Sequence, residues 1–375
     1  MGGIGRVYNI PKVLKELGWE VDIYTPYPPR NYPKDEESFN TKNLNIIRTP
    51  SLDPFHILPS KILKSGSGKR DYLSFPDNKV LWLPFLLKKI KKTNVIVISC
   101  PPFSLMLLLF FVKNTPCVID YRDLWVGSYL GEYLFKWEEA LAKRIEKYCI
   151  QKASLIITVT DGIRKILISE YPEAKNKIHL IRNGFDKNYP FTTKKKKKEK
   201  LIFTYMGSFS DIFNPEIVFE GFEELFALNP ELKERIAFKY IGPSMREGLV
   251  KRAREIGLSL ISKGYLPYKR AFYELRNSDI LILIGGGKED SWLIPSKLYQ
   301  YIAAGQPIIA ITRNEEIKDL IGSSGVICEP TPLSIATSIV EVLKNLSKFK
   351  PTSNYLKYSW ENLGKEYSEL LMKIL

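Results

Sequence analysis

At 375 residues, 45% of them hydrophobic, the chain is long enough to bury two cores of ordinary size. Its longest unbroken apolar run, Leu105–Val112, is too short to span a bilayer, and no basic-then-apolar leader opens the sequence. The net charge of +15 is unevenly spread: the surplus lies in the first half and in the lysines 194–198, and the stretch 201–375 is neutral. That asymmetry points to a first half facing an anionic surface or a pyrophosphate, or to a lysine-rich chain kept soluble. Zinc-finger spacing, an RNA-recognition signature and an interleaved basic–aromatic stripe are all missing, so no nucleic acid partner is expected. The four cysteines lack metal-ligand spacing and read as buried reduced thiols. With only His56 and His179 besides, neither a metal site nor a histidine triad is expected.

Taken in order, Met1-Gly-Gly-Ile-Gly-Arg6 reads as a glycine-rich loop running into a helix over Val7–Leu17, which Gly18 caps. Glu20–Thr25 alternates like a strand. A strand normally delivers such a loop to the sheet edge, so the chain as given is expected to lack about ten residues at its start, or to fill that slot with another segment. Residues 30–77 are loop-rich, with a strand candidate at Leu44–Arg48. Phe85–Lys92 reads as a basic amphipathic helix. With Trp82 it suits contact with anionic lipid; core packing with a solvated lysine face is the alternative. Asn94–Ser99 is a buried strand, followed by a very apolar helix and a second strand, Pro116–Asp120. Arg122 and Asp123 stand at the carboxyl end of that strand, where open α/β sheets bind ligands. A long charged helix over 132–153, a strand Ser154–Val159 and a last strand Lys177–Ile181 close this half.

The lysine-rich stretch 191–200 reads as a linker. After it the alternation restarts, with strands at Leu201–Met206, Ile236–Tyr240, Leu258–Ile261, Asp279–Ile284, Ile308–Ile311 and Val326–Cys328, and helices at Pro215–Leu228, Met245–Ile256, a short stretch after Tyr268, and Leu333–Leu346. The stretch Ile294–Gly305 carries the most information. Pro295 suits a first helical turn and Gly305 a C-terminal cap. The free N–H groups of that turn, aimed beyond the end of the preceding strand, favour a phosphate. Tyr355–Leu375 is a terminal amphipathic helix. The expected organisation is therefore α/β: a Rossmann-like N-terminal domain over 1–190, the linker, a second Rossmann-like domain over 201–354, and a helix over 355–375 crossing back to the first.

Several stretches taken together are recognisable: Gly2-Gly-Ile-Gly-Arg6, Pro76-Asp77 with Trp82, Asp120-Tyr-Arg-Asp-Leu-Trp125, Ile181-Arg-Asn-Gly-Phe-Asp186, Gly207-Ser208, Gly264-Tyr-Leu-Pro267 and Pro295–Gly305. In their order and spacing the chain resembles retaining glycosyltransferases of the GT-B fold, family 4, the group also described as "glycosyl transferases group 1". The resemblance implies two Rossmann-like domains facing a deep cleft, the second holding a nucleotide-diphosphate sugar and the first presenting the acceptor. Carried onto this sequence, it implies donor contacts from Gly2, Gly3, Gly5, Arg182, Asn183, Gly207, Ser208, Pro295, Ser296, Lys297 and Leu298. The usual pair of glutamates falls on Trp292 and Gln300. Gln300 keeps an acceptor oxygen for a ribose hydroxyl, and Glu289 or Asp290 is a substitute for the first glutamate by a loop shift. Arg122 replaces a common histidine, with Asp123 as the acceptor-side carboxylate.

The activity that the resemblance implies is transfer of a sugar to a glycan or lipid-linked acceptor with retention of configuration, in cell-surface polysaccharide or glycoconjugate synthesis. No cofactor is expected beyond the nucleotide-diphosphate sugar as co-substrate, and no metal. The expected location is cytoplasmic, peripheral on the inner face of the membrane if the basic helix binds lipid. Because of Trp292 and Gln300 a second reading stays open, a weak or inactive sugar-nucleotide-binding partner subunit. A sugar-nucleotide epimerase is a third.

Overall fold

The computed structural model describes residues 2–28, 39–53, 75–128, 133, 135–187, 199–209, 215–243, 245–286, 292–349 and 355–375. The chain divides into two compact units. The C-terminal unit comprises Asn183–Asn362 with Met1–Arg6 and Asp35–Phe39; the N-terminal unit comprises Val7–Lys34, Asn40–Arg182 and Leu363–Leu375.

Helix α1 (Gly2–Glu16) buries Ile10, Val13 and Leu14. It stops at Gly18, whose φ of 94° lets the Trp19 N–H reach the Leu14 carbonyl at 3.0 Å. The Gly2–Gly5 run, expected as a loop, is the opening of this helix. First-turn N–H groups lack intrahelical acceptors in any helix, so the amphipathic pattern from Val7 extends backwards through the glycines. Strands β1 (Asp22–Pro26) and β2 (Asn45–Thr49) then pair in parallel.

The basic amphipathic helix is a second correction. A 3-10 turn, Asn78–Trp82, leads into the short α2 (Leu83–Leu87), and Lys88, Lys89, Lys91 and Lys92 lie beyond its end. Proline in the first turn starts this helix, and the like charges after it repel one another rather than extend it. Trp82 is interior, donating its indole N–H to the Thr49 hydroxyl at 2.6 Å. The apolar helix expected after β3 (Ile96–Cys100) is a 3-10 segment, Phe103–Phe110.

Strands β3, β4 (Cys117–Tyr121), β5 (Leu155–Thr158) and β6 (Ile178–Leu180) form a four-stranded parallel sheet in that order. Ile98, Ile119, Ile156 and Ile178 make one buried row across it. Helices α3 (Lys136–Lys152) and α4 (Asp161–Glu170) complete this unit's main elements, the latter capped by the Thr160 hydroxyl. Among the described strands none joins the β1–β2 pair to this sheet.

The C-terminal unit runs through β7 (Leu201–Met206), α5 (Glu216–Leu228), β8 (Ile236–Ile241), α6 (Glu247–Glu255), β9 (Ser259–Ser262) and α7 (Tyr268–Arg276). Next come β10 (Ile280–Ile284), α8 (Lys297–Ala304), β11 (Ile308–Ile311), α9 (Glu315–Ile321), β12 (Gly325–Cys328) and α10 (Pro332–Lys344). Helix α9 was not expected from the sequence. The sheet is wholly parallel, in the order β12-β11-β10-β7-β8-β9. Every residue of β10 is buried, and they alternate between two cores: Ile280, Ile282 and Ile284 pack with α5 and α10, Leu281 and Leu283 with α7 and α8.

The last helix, α11 (Trp360–Met372), starts beside Phe185, which is fully buried and exchanges backbone hydrogen bonds with Tyr358 and Trp360 at 3.0 Å each. In the N-terminal unit the far end of α11 lies on α1: Gly364 leaves no room for a side chain against Val13, and Trp19 donates to the Ser368 hydroxyl at 2.8 Å.

Candidate active site

The order of the six-stranded sheet puts a switch point between β7 and β10. The chain proceeds from β7 outward through β8 and β9, then returns to the other side of β7 for β10. Ligands of open α/β sheets sit at such a point, outside the carboxyl ends of the strands. Here the two strands pair only through Phe203–Ile280 and Thr204–Leu281 and then part. The Met206 N–H, past the end of that pairing, is taken by the Tyr301 hydroxyl of α8 at 2.8 Å.

Three pieces of backbone succeed these two strands. Gly207 succeeds β7 at φ 126°, a conformation that favours glycine, and its N–H donates to the Ile241 carbonyl at 2.8 Å. Gly285 succeeds β10, where a Cβ would strike the Thr312 hydroxyl at 2.5 Å. Helix α8 begins at Lys297 after Pro295 and Ser296, with the Leu298 N–H bonded to the Pro295 carbonyl at 2.9 Å. Gly305, at φ 73°, ends it in the expected left-handed cap. The segment entering α8 is held by Asn314, whose side chain donates to the Leu293 carbonyl at 3.2 Å.

Lys297 is the cation of this site. Its ammonium donates to the Tyr205 hydroxyl at 2.6 Å and lies 3.9 Å from the centre of the same ring. A Cβ on Gly207 would sit 3.2 Å from the Lys297 Nζ, so the missing side chain at 207 is what gives the ammonium its place. Burial pulls the Lys297 pKa down to about 7. Tyr205 donates in turn to the Ser208 carbonyl at 3.2 Å. Its ring, fully buried, stacks on Phe209 at 4.6 Å, and Phe209 stacks on Tyr240 at 4.8 Å. One turn further along α8, Gln300 is hydrogen-bonded to the Tyr268 hydroxyl at the start of α7, and burial pushes that phenol's pKa up.

A second group stands at the carboxyl end of β4 in the N-terminal unit. The Arg122 N–H donates to the Cys100 carbonyl at 2.9 Å, and its guanidinium to the Pro101 carbonyl. Burial raises the Asp123 pKa to about 6, with Arg122 opposing the rise. The turn carrying both is wound onto Tyr121, whose hydroxyl accepts the Trp125 N–H at 3.1 Å and is itself bonded to Glu146. Tyr171 donates to the same carboxylate at 2.7 Å. Glu146 is buried, which raises its pKa against the pull of those two phenols. Asp77 has a structural place: it caps its own turn and accepts from the Ser104 N–H and hydroxyl at 2.9 and 2.7 Å.

Of the residues predicted from sequence, Gly207 adjoins the Lys297 ammonium, the Ser208 carbonyl accepts from Tyr205, Pro295 and Ser296 lead into α8, and Gln300 lies one turn along that helix. The Leu298 side chain is fully buried in the core under β10. Gly2, Gly3 and Gly5 lie in the opening turns of α1, and Gly5 approaches the Trp360 ring at ordinary contact distance. Asn183 belongs to the C-terminal unit, whereas Arg182, Arg122 and Asp123 belong to the other. Glu289 and Asp290 lie outside the described residues. Tyr205, Tyr268 and Glu146 were missed. The available signal for the tyrosines was a hydroxyl in an otherwise apolar stretch, since a buried phenol nearly always finds a polar partner.

The fold as a whole is that of known GT-B proteins. OtsA in its apo form matches 99% of this chain and 96% of its own, at 12% identity and a TM-score of 0.71. Sucrose-phosphate synthase from Thermosynechococcus elongatus matches 98% and 92%, at 14% identity and 0.66. A glycosyltransferase from Rickettsia africae ESF-5 matches 100% and 95%, at 15% identity and 0.64. At these identities the likeness is one of fold, two Rossmann-like units of the GT-B class. Residues 1–189 match the family described as Glycosyltransferase Family 4, and the chain belongs to that family. Among curated proteins it is similar to TuaH of Bacillus subtilis (strain 168), whose name places it with teichuronic acid biosynthesis glycosyltransferases. The two are 21% identical over 236 residues, 56% of this chain and 53% of TuaH, so the chain spans about half the length of that relative.

Proposed function

We propose that this chain transfers a sugar from a nucleotide-diphosphate donor to a glycan or lipid-linked acceptor, with retention of configuration, in the synthesis of a cell-surface polysaccharide. The observation that carries this reading is Lys297: an ammonium at the first residue of α8, beside a glycine and at the switch point of a parallel sheet. A diphosphate there meets a cation, the N–H groups of a helix start and a backbone free of side chains. Family membership and the teichuronic acid name of TuaH support the polysaccharide context.

In this mechanism the bond between the anomeric carbon and the diphosphate oxygen breaks, and its electron pair leaves on the diphosphate. Lys297 and the α8 N-terminus neutralise that developing charge, which in a dry site is the largest available contribution. The acceptor oxygen forms the new bond on the face being vacated, and its proton passes to the departing oxygen. Gln300 and Tyr268 offer a neutral amide and a phenol to the ribose hydroxyls in place of a carboxylate. Asp123, in the N-terminal unit, is the acceptor-side carboxylate. Protein groups supply the cationic charge, so neither cofactor nor metal is required, and EDTA is expected to leave binding unchanged. The test is titration of the full chain with UDP, GDP and ADP by calorimetry. Saturable binding of one of them, weakened in Lys297→Met, is expected; no saturable binding of any would sink the proposal.

A further inference from the structure

We propose that the solvent face of α3 is a docking surface for an anionic phospholipid membrane. Trp137, Leu141, Arg144 and Tyr148 succeed one another at intervals of four, three and four residues, so they share one stripe of this helix. All four are exposed, Trp137 at 58%. The stripe continues onto the neighbouring 3-10 segment, where Phe110 stacks on Tyr148 with centroids 4.2 Å apart and Phe111 is 61% exposed. At its other end Phe135 stacks on Trp137 at 6.2 Å. Isolated exposed apolar residues need no explanation, but a contiguous aromatic row does.

The charges around the row identify its occupant. Lys136, Lys143 and Lys147 line one flank of the helix, Arg144 stands within the stripe, and Lys113 lies two positions beyond Phe111. Of the acidic residues of α3, Glu138 and Glu146 are buried, and Glu139 pairs with Lys143 at 3.0 Å, which leaves the charge of the face to Lys136, Arg144 and Lys147. Tryptophan, tyrosine and lysine side chains with apolar bodies and polar or charged tips are the ones that settle at a headgroup layer, and anionic lipid complements the lysines. A second copy is disfavoured as occupant, because a two-fold contact of this face with itself would bring its lysines together. The surface is distinct from the Trp82–Lys92 segment, whose tryptophan is interior.

The experiment is co-sedimentation of the full chain with vesicles of phosphatidylcholine, alone or mixed with phosphatidylglycerol, across a salt series. Binding to the mixed vesicles only, lost at high salt, is expected. Each of the charge reversals Lys136→Glu and Lys147→Glu should lower the partition coefficient at least about fivefold, on the usual worth of a basic residue near such a surface. Among the described residues Trp137 is the one exposed tryptophan, so its emission should shift to the blue on binding and Trp137→Phe should abolish the shift. Thermal melting of each variant checks the fold. Equal binding to both vesicles, no binding to either, or unchanged binding by the reversal variants overturns the proposal. So does a concentration-dependent dimer that Trp137→Ser dissolves, which would make the face a self-interface.

Discussion

The Lys297 ammonium sits 2.6 Å from the Tyr205 hydroxyl, and this pair joins the first strand of the C-terminal unit to the helix after its fourth. Burial brings Lys297 to a pKa of about 7, so near neutral pH it is poised between charged and neutral. A bound diphosphate favours the charged form, and binding above pH 7 should therefore take up a proton. Affinity is expected to fall as pH rises above 7, by up to tenfold per unit. Calorimetry in buffers of different ionisation enthalpy measures the uptake. Lys297→Met should flatten the pH dependence and weaken binding about 10- to 100-fold, the equivalent of ~1.5–3 kcal/mol for a hydrogen bond to a charged group.

Tyr205→Phe keeps the ring stacked on Phe209 and removes the hydroxyl that accepts from the ammonium and donates to the Ser208 carbonyl. Losing that acceptor disfavours the charged lysine, so the midpoint of the affinity–pH curve should move to lower pH. A residue that only filled space would leave the midpoint where it was.

Gly207→Ala places a Cβ at a φ of 126° and 3.2 Å from the Lys297 Nζ. The backbone strain alone is expected to lower stability by about 1–3 kcal/mol. Displacement of the ammonium should add a loss of diphosphate affinity that Gly248→Ala does not share, because Gly248 lies in the helix α6 with open space around its missing side chain. Denaturant melts and calorimetry separate the two effects.

Asp123, raised to about 6 by burial, binds a proton in the folded chain that the unfolded chain releases near its ordinary carboxylate pKa. The stability it contributes is full below the unfolded pKa and is lost as pH rises through 6. Asp123→Asn cannot ionise, so it should melt higher than the parent at pH 7 and match it more closely near pH 4. If the ionised carboxylate serves the acceptor, kcat/KM of the parent falls below pH 6, and the variant is slower by 100-fold or more, on the order expected for a lost acid–base group. Melting curves and initial rates across pH 4–8 check both.

Much of the fold was legible because parallel strands buried on both faces read as short, nearly continuous apolar runs, and those of β7, β10 and β11 begin and end where the runs do. Pro295 and Gly305 marked the opening and closing of α8 for local reasons, a tolerated missing N–H and a left-handed cap. Local pattern failed where the context was not local. Lysines after Phe85 looked amphipathic, but Trp82 found its partner at Thr49 in another strand. Exposure of the α3 stripe was equally hidden, because an apolar residue at helical spacing is ordinarily assigned to a core.

By itself, the sequence determined that this is a two-part α/β chain with a phosphate-favouring helix start after a buried strand, since strand burial, caps and glycine turns depend on neighbouring residues. Only the tertiary structure decided which strands adjoin, and hence that the switch point falls between β7 and β10. It also decided that the Lys297 ammonium would lie beside Gly207 on Tyr205. That contact joins residues 92 positions apart, and its partner is a buried phenol whose need for a hydrogen bond is visible only once its surroundings are assembled.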